Sequence, residues 1–444
     1  MLHAALNAAL VLTALVLTAV SVATLIWMLH AWSAPEAHRG TGFVPARRRR
    51  RAPGHLPRAT DDPQLSFSLI VPCREETELV MNATLERLLA QDHPDLEVVI
   101  SVGDDDLPTV ATARRLSDRH PHVSVSVNHD AVKNKPRQLN TALAECSKDV
   151  VGIIDAESLT QPGLLRHVDK TFRERGAHVV QGAVHLVNYR ATWFSLRNCM
   201  EYRTWFRSRL PGHARRGFIP LGGNTVFFDR QVLLEVGGWD GDCLAEDCEI
   251  GVRLSVLGKK IVVAYDAELV TLEEAPVTVR ALVKQRTRWA LGFMQVLSKG
   301  EWRKLPTRQQ RAHAWWMLVQ QHAMAFAGLS VPFALLVVLL LDVPLAVTLL
   351  TFLPLAPTLA TVAFEVVILR EFAADMGWRL RLQDYVVLVV STPLYQLLLA
   401  TACLRAAWKY ANRDFAWELT AHAGTHLEHT AAPALVREPS RSAA

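Results

Sequence analysis

Asp155-Ala156-Glu157 sets two carboxylates two residues apart, directly after the apolar run Val150 to Ile154. Hard oxygen donors at that spacing suit magnesium or manganese, which keep positions open for phosphate oxygens. A bare acidic turn after a strand would carry the same residues. Asp104-Asp105-Asp106 follows a second apolar run, Leu96 to Val102, and could accept hydrogen bonds from a base or ribose, or simply form an Asp-rich turn. Glu246-Asp247 opens a helical pattern, where the helix dipole alone favours acids. One of the pair could equally act as a general base on an attacking hydroxyl. Gln285-Arg286-Thr287-Arg288-Trp289 combines guanidinium forks for a diphosphate with a flat aromatic face for a sugar ring. Lys133-Asn134-Lys135-Pro136 puts Lys135 at a helix start, where a phosphate would be welcome. Gly222-Gly223-Asn224 suggests close approach of backbone to an acceptor.

The elements that must hold these residues alternate. Strand-like runs over 65–71, 96–102, 123–127 and 150–154 are separated by helical stretches over 76–91, 109–119 and 136–146. That alternation predicts a mostly parallel α/β sheet. Two of its strands end in acidic clusters, and ligands bind open α/β sheets beyond the carboxyl ends of the strands. From 179 to 275 short strands mix with helices, and 280–297 reads as an amphipathic helix.

The ends of the chain are apolar. Half of the 444 residues are hydrophobic, a high share for a purely soluble enzyme. Ala5 to Leu29 contains no Asp, Glu, Lys or Arg and is long enough to cross a bilayer. It is too long, and too poor in N-terminal positive charge, for a cleaved leader. Residues 32–64 form a basic linker that includes Arg47 to Arg51, a positive-inside signal placing residues 65–300 in the cytoplasm. The run lacks the interleaved aromatics of a nucleic-acid surface. Trp302, Trp315 and Trp316 among basic residues predict an interface helix over 301–320. Residues 321–404 hold further spans at 322–341 and 343–369. The stretch 385–404, interrupted by Pro393, either lies in or re-enters the interface or is a true span with an external tail; a full span would carry Arg405, Lys409 and Arg413 outside, against the positive-inside rule. Residues 405–444 form a polar tail. Six cysteines at 73, 146, 199, 243, 248 and 403 show no metal-binding spacing and read as reduced structural thiols.

In order and local sequence these clusters resemble the membrane-bound family 2 glycosyltransferases, a group that includes cellulose, hyaluronan and poly-N-acetylglucosamine synthases and ceramide glucosyltransferases. Val71-Pro72-Cys73-Arg74-Glu75-Glu76 looks like the family's opening strand, bringing Glu76 to the nucleotide-sugar site with Lys135 and Asp155. Asp104 or Asp105 is similar to its nucleotide-binding aspartate, although Val102-Gly103-Asp104-Asp105-Asp106 departs from the usual V-D-D-G-S. Asp155 and Glu157 look like its metal motif. Glu246-Asp247 resembles the end of T-E-D, with Ala245 in place of Thr and Asp247 as the base. Gln285 to Trp289 matches Q-(Q/R)-x-R-W, and Trp417-Glu418-Leu419-Thr420-Ala421-His422 resembles a W-E-x-T-x-H ending.

The resemblance implies a GT-A type nucleotide-sugar-binding domain on a multi-pass cell-membrane protein. It implies a nucleotide-diphosphate sugar donor, typically a UDP-sugar, and a Mg2+ or Mn2+ cofactor. Gln285, Arg286, Arg288, Trp289, Gly223 and Asn224 would serve the diphosphate and acceptor. The product would be a β-linked polysaccharide or a glycolipid, made against membrane lipids, with an export partner or an oligomer for secretion. A non-catalytic membrane scaffold is the competing class, disfavoured because every charged catalytic position is present.

Overall fold

A computed structural model describes residues 2–33 and 64–418. The arginine run at 47–51 and the end of the tail from 419, with Thr420 and His422, lie outside the described residues. The chain begins with helix α1 (Leu2–Ser33). Then β1 (Phe67–Pro72), α2 (Glu78–Leu89), β2 (Leu96–Gly103), α3 (Leu107–Arg119), β3 (Val123–Asn128), α4 (Lys135–Leu143) and β4 (Val150–Ile153) alternate strictly. Thr77, Asp106 and Asn134 cap α2, α3 and α4, each accepting a backbone N–H of the first turn. The capping side chains thus fix where the helices start beside the strand ends.

The second half follows with α5 (Leu164–Arg175), β5 (Val179–Gly182), β6 (Val184–Leu186), α6 (Ser195–Thr204), α7 (Leu210–Arg215), β7 (Val226–Asp229), α8 (Arg230–Glu235), α9 (Glu246–Val256), β8 (Ile261–Ala264) and β9 (Thr271–Glu273). A π-helical stretch, Trp205–Arg209, joins α6 to α7. The seven-stranded sheet has the order β3-β2-β1-β4-β7-β5-β8, with β7 antiparallel to both neighbours and the other pairs parallel. Strands β6 and β9 form a small parallel pair.

Alternation along β1 divides the core. Phe67, Leu69 and Val71 pack with Leu85, Ala113, Leu116, Val168 and Phe172 on one face. Ile70 faces Leu139, Ala142, Leu233, Ile250 and Leu254 on the other. Both faces are therefore covered, as a parallel sheet requires. Between β1 and β4 the strand order reverses direction, so a crevice opens at their carboxyl ends.

Helix α10 (Val279–Lys299) follows, and α11 (Arg308–Leu340), α12 (Leu345–Thr351), α13 (Leu355–Asp375) and α14 (Leu382–Ala411) come after it. Among the described residues four helical stretches are long and apolar enough to cross a bilayer: His3–Leu29, Arg308–Leu340, Leu345–Asp375 and Leu382–Ala411. The separate interface helix expected over 301–320 is not formed. A 3-10 turn, Glu301–Lys304, precedes α11, which then runs unbroken through residue 320. Thr307 and Gln310 close a reciprocal cap at its start, and Pro332 is absorbed without ending it. The span read as 343–369 is divided between α12 and α13.

Helix α14 is held along the α/β domain over much of its length. Arg190 grips Asp384 at 2.7 and 3.1 Å, Arg197 donates to the Leu388 carbonyl at 2.7 Å, Tyr395 bonds Glu201 at 2.8 Å, and Thr287 meets the Ala402 carbonyl at 3.3 Å. The eighteen residue steps from Asp384 to Ala402 cover about 27 Å of helix, close to a bilayer core. Both ends of that stretch touch the same domain.

Candidate functional site

Strand β4 ends at Ile153, and the chain turns so that Asp155 and Glu157 stand at the crevice. The turn is bracketed by buried polar groups. The Asn224 side-chain oxygen accepts the Asp155 N–H at 3.1 Å, while its amide donates to Ser158 Oγ at 2.7 Å and to the Glu273 carboxyl. Ser158 Oγ also donates to Glu273 at 2.8 Å. On the far side Thr84 Oγ1 donates to the Ala156 carbonyl at 2.6 Å. Asn224 is thus spent on holding the acidic turn. The acceptor contact expected of it has no free group to make it, because both ends of its amide are already bonded. Thr225 beside it sits at φ 51°, an outlying conformation for a β-branched residue.

Negative charge accumulates here. Glu76, Asp155, Glu157 and Glu273 approach one another, with Asp106 nearby. Burial, reinforced by the neighbouring carboxylates, pushes Glu76 and Glu273 up to about 8. Lys135, at the start of α4, answers part of that charge. Its Nζ is paired with Asp155 and donates to the Gly223 carbonyl at 2.8 Å. Burial opposes its ammonium, but Asp155, Glu246 and Asp247 together hold the pKa above the ordinary lysine value. A Cβ at Gly223 would lie 3.2 Å from Asp247 Oδ2 and 3.6 Å from Lys135 Nζ, so this glycine sets how closely the two approach.

Helix α9 supplies Glu246 and Asp247 in its first turn. Glu246 is buried and Asp247 half-buried, with Asp247 Oδ1 accepting the Cys248 N–H at 2.7 Å. Burial raises both carboxyls, Glu246 to about 7, and the charges of Lys135 and Arg288 work against that rise. Asp247 is the more open of the two. It has the exposure to meet a ligand, and Lys135 and Arg288 partly offset the rise that burial gives its carboxyl.

The five residues of Gln285 to Trp289 divide on α10. Arg286 is committed to structure: its guanidinium bonds Glu201 at 2.5 Å, Asn198 at 2.6 Å and Tyr395 at 3.1 Å, and lies 4.6 Å over the Trp289 ring. All three bonds are made by one nitrogen, Nη2, while Nε has no partner among the described residues. Arg288 stacks 4.7 Å over the Trp417 ring and acts electrostatically on Glu246 and Asp247. Glu418, the next residue, is clamped by Arg405 at 2.5 and 2.8 Å and by Lys409 at 3.1 Å. Gln285 is buried, and its side-chain oxygen has no partner among the described residues.

The aspartates after β2 each have a defined partner. Asp104 pairs with Lys133 at 2.5 Å and His129 at 2.8 Å, and Asp105 with Arg74 at 2.8 Å. Asp106 accepts the Glu75 N–H at 2.6 Å, in a residue held at φ 56°. Asp104 and Asp105 remain partly exposed at the crevice rim, whereas Asp106 fixes the loop that turns Glu76 inward.

Sequence reading missed Glu273 and Ser158, because a lone Glu after a three-residue strand and a lone Ser carry no pattern. It also missed Glu201 and Tyr202 on α6. All four are joined to the site only by the tertiary fold.

The family model described as "Glycosyltransferase like family 2" matches residues 63–292. The chain is similar to the probable glycosyltransferase YdaM of Bacillus subtilis, 26% identical over 52% of this chain and 56% of that protein. It is also similar to the beta-monoglucosyldiacylglycerol synthase of Synechocystis, 27% identical over 53% of this chain and 50% of that protein. The poly-beta-1,6-N-acetyl-D-glucosamine synthase of Staphylococcus epidermidis is 25% identical over 55% of this chain and 58% of its own. The match spans little more than half the length of these curated relatives. Among solved structures, the mannosyltransferase PcManGT from Pyrobaculum calidifontis, in complex with GDP-Man and Mn2+, aligns with a TM-score of 0.54. That alignment covers 90% of this chain and 99% of the mannosyltransferase at 20% identity, which establishes the GT-A fold.

Proposed function

This chain belongs to the family 2-like glycosyltransferases, and on that premise we propose that it is an inverting membrane enzyme extending a β-linked polysaccharide from a UDP-sugar. The observation that carries the reading is the position of Lys135. It touches the Asp155 carboxylate and the Gly223 carbonyl while acting on Asp247, so the acidic turn and the candidate base face one space.

Asp104 and Asp105, at the rim, would accept hydrogen bonds from the nucleoside. Asp155 and Glu157 fit a divalent cation: their surroundings hold more carboxylates than cations, and those carboxylates add to the rise that burial gives Glu76 and Glu273. No three His, Cys, Asp or Glu side chains among the described residues close on one point, so the remaining ligand positions would fall to phosphate oxygens and water. Bound there, Mg2+ or Mn2+ would neutralise charge on the departing diphosphate. Lys135 and Arg288 would hold the diphosphate oxygens. Asp247 would take the proton from the acceptor hydroxyl as its oxygen attacks the anomeric carbon opposite the leaving group. The new C–O bond forms as the bond to diphosphate breaks, and the configuration inverts. Trp289 would support the acceptor ring.

For placement in the membrane, α1, α11 and the α12–α13 pair would cross, with α14 lying at the interface against α6 and α10. Three crossings leave the α/β domain and residues 405–413 on the same, cytoplasmic side, in keeping with the positive-inside rule. The contacts from Asp384 to Ala402 support this arrangement.

A second reading, transfer of one sugar to a lipid acceptor, is favoured by that same small number of crossings. Membranes carrying the chain, incubated with radiolabelled UDP-glucose or UDP-N-acetylglucosamine and Mg2+, separate the two. A high-molecular-weight labelled product is expected. A product wholly extractable into organic solvent would replace the polymer reading with the lipid one, and no UDP release would overturn both.

A further inference from the structure

Tyr202 belongs to α6, between Glu201 and Arg203. Its neighbours have structural employment. Glu201 receives Arg286 at 2.5 Å and the Tyr395 hydroxyl at 2.8 Å, Asn198 receives Arg286 at 2.6 Å, and Arg203 pairs with Asp375 at 2.7 Å. The Tyr202 ring lies tilted on Trp289, with centroids 6.3 Å apart at 41°, and on Phe206 at 6.3 Å and 52°. Its hydroxyl finds no hydrogen-bond partner among the described residues.

The surroundings of that hydroxyl are those of the site. Burial pushes the phenol well above its ordinary range. The charges acting on it come from Glu273 and Asp155 on the metal-motif side, and from Arg286 and Arg288 on the α10 side. The side chain is only partly buried, so its hydroxyl can be reached by a ligand, and a tyrosine packed by its ring normally uses that polar tip in a hydrogen bond. Arg286 fixes α10 to α6 through Glu201 and also covers the Trp289 ring, so Tyr202 and Trp289 are braced as one unit. The pair offers an aromatic wall carrying one free hydroxyl, which suits a sugar ring and serves no purpose against an alkyl chain.

We propose that Tyr202 is a specificity-determining residue whose hydroxyl hydrogen-bonds a ring hydroxyl of the acceptor's terminal sugar while Trp289 supports that ring. The assignment rests on the glycosyl-transfer reading above and narrows it to saccharide acceptors. A site built around a substrate hydroxyl discriminates strongly against partners lacking it, whereas an apolar wall does not.

The full chain in phospholipid nanodiscs, given a UDP-sugar it turns over and cellotetraose or chitotetraose as acceptor, tests this. Tyr202→Phe keeps the ring and removes only the hydroxyl. The acceptor KM should rise about tenfold or more, with kcat, donor affinity and melting temperature near those of the parent. An unchanged acceptor KM overturns the assignment. So does a loss of donor affinity or of melting temperature equal to the loss in acceptor binding, which would make Tyr202 a donor or structural residue. A parent chain that glycosylates dioleoylglycerol and neither tetrasaccharide overturns the assignment while leaving glycosyl transfer standing. A parent chain that releases no UDP from any UDP-sugar overturns the transfer reading itself.

Discussion

Gly292 on α10 lies against Ala245, the residue before α9, so closely that a Cβ at 292 would stand 2.5 Å from the Ala245 methyl and 2.6 Å from its nitrogen. The two helices that carry the candidate base and the arginine–tryptophan cluster therefore meet with no side chain between them. Gln295, one residue short of the next turn, locks the same junction by accepting the Leu244 N–H at 2.8 Å and donating to the Asp242 carbonyl at 3.0 Å. Ala245 departs from the threonine of the family motif at the point where space is least.

Gly292→Ala should force α10 away from α9. Overpacking of this kind costs about 1–3 kcal/mol. The expected result is a lower melting temperature together with a larger loss in kcat than in donor affinity, since the base and the arginines move apart. Calorimetry and initial-rate kinetics on the same preparation check it.

Asp247→Asn should remove the proton acceptor without altering the volume of the site. General-base contributions are about 100- to 10,000-fold, so transfer should fall by that order while UDP-sugar binding persists. Equilibrium binding and turnover, measured separately, decide the matter. Retained turnover would strip Asp247 of its role.

Asn224→Ala should loosen the turn that bears Asp155 and Glu157, leaving the Asp155 N–H without its partner and Glu273 with Ser158 alone of the two donors. Unmet buried groups cost about 1–3 kcal/mol. The Mg2+ or Mn2+ concentration giving half-maximal activity should rise, with the acceptor KM unchanged. A titration of activity against each cation reads this directly.

Glu201→Ala should release Arg286 and uncouple α10 from α6 and α14. Hydrogen bonds to charged groups contribute about 1.5–3 kcal/mol each, and the guanidinium left behind is largely enclosed. Both stability and activity should drop, and Glu201→Gln, which keeps an acceptor, should recover part of each.

Stability should depend on pH with a definite sign. Glu76 and Glu273 are pushed up to about 8 and Glu246 to about 7, all above their ordinary value of 4.5. The folded chain thus binds protons that the unfolded chain has released, and stability falls as pH rises from about 4.5 to about 8. Added Mg2+ should flatten that fall, because it compensates the same charge. Melting temperatures at a series of pH values, with and without the cation, check both statements.

Much of this site was legible in the linear chain. Acidic clusters directly after buried strands predicted the crevice, since a parallel sheet exposes its strand ends there and nowhere else along the strand. The capping residues Thr77, Asp106 and Asn134 marked helix starts by their type alone. The helix expected over 301–320 was misjudged because tryptophans and basic residues fit a membrane surface equally well in an isolated helix and in the first turns of a longer one. Arg286 and Asn224 show a related limit: residue type shows which bonds a side chain can make, and only its neighbours show which are already made.

Composition and spacing thus determined the α/β sheet, the apolar helices at both ends and the family to which the chain belongs, because each follows from local pattern. The tertiary structure alone decided which carboxylates share a space, which acceptors an arginine meets and which hydroxyl is left over. Those depend on contacts between residues as distant in sequence as Asp155 and Asn224, or Arg286 and Glu201, and no local pattern encodes a distance across the fold.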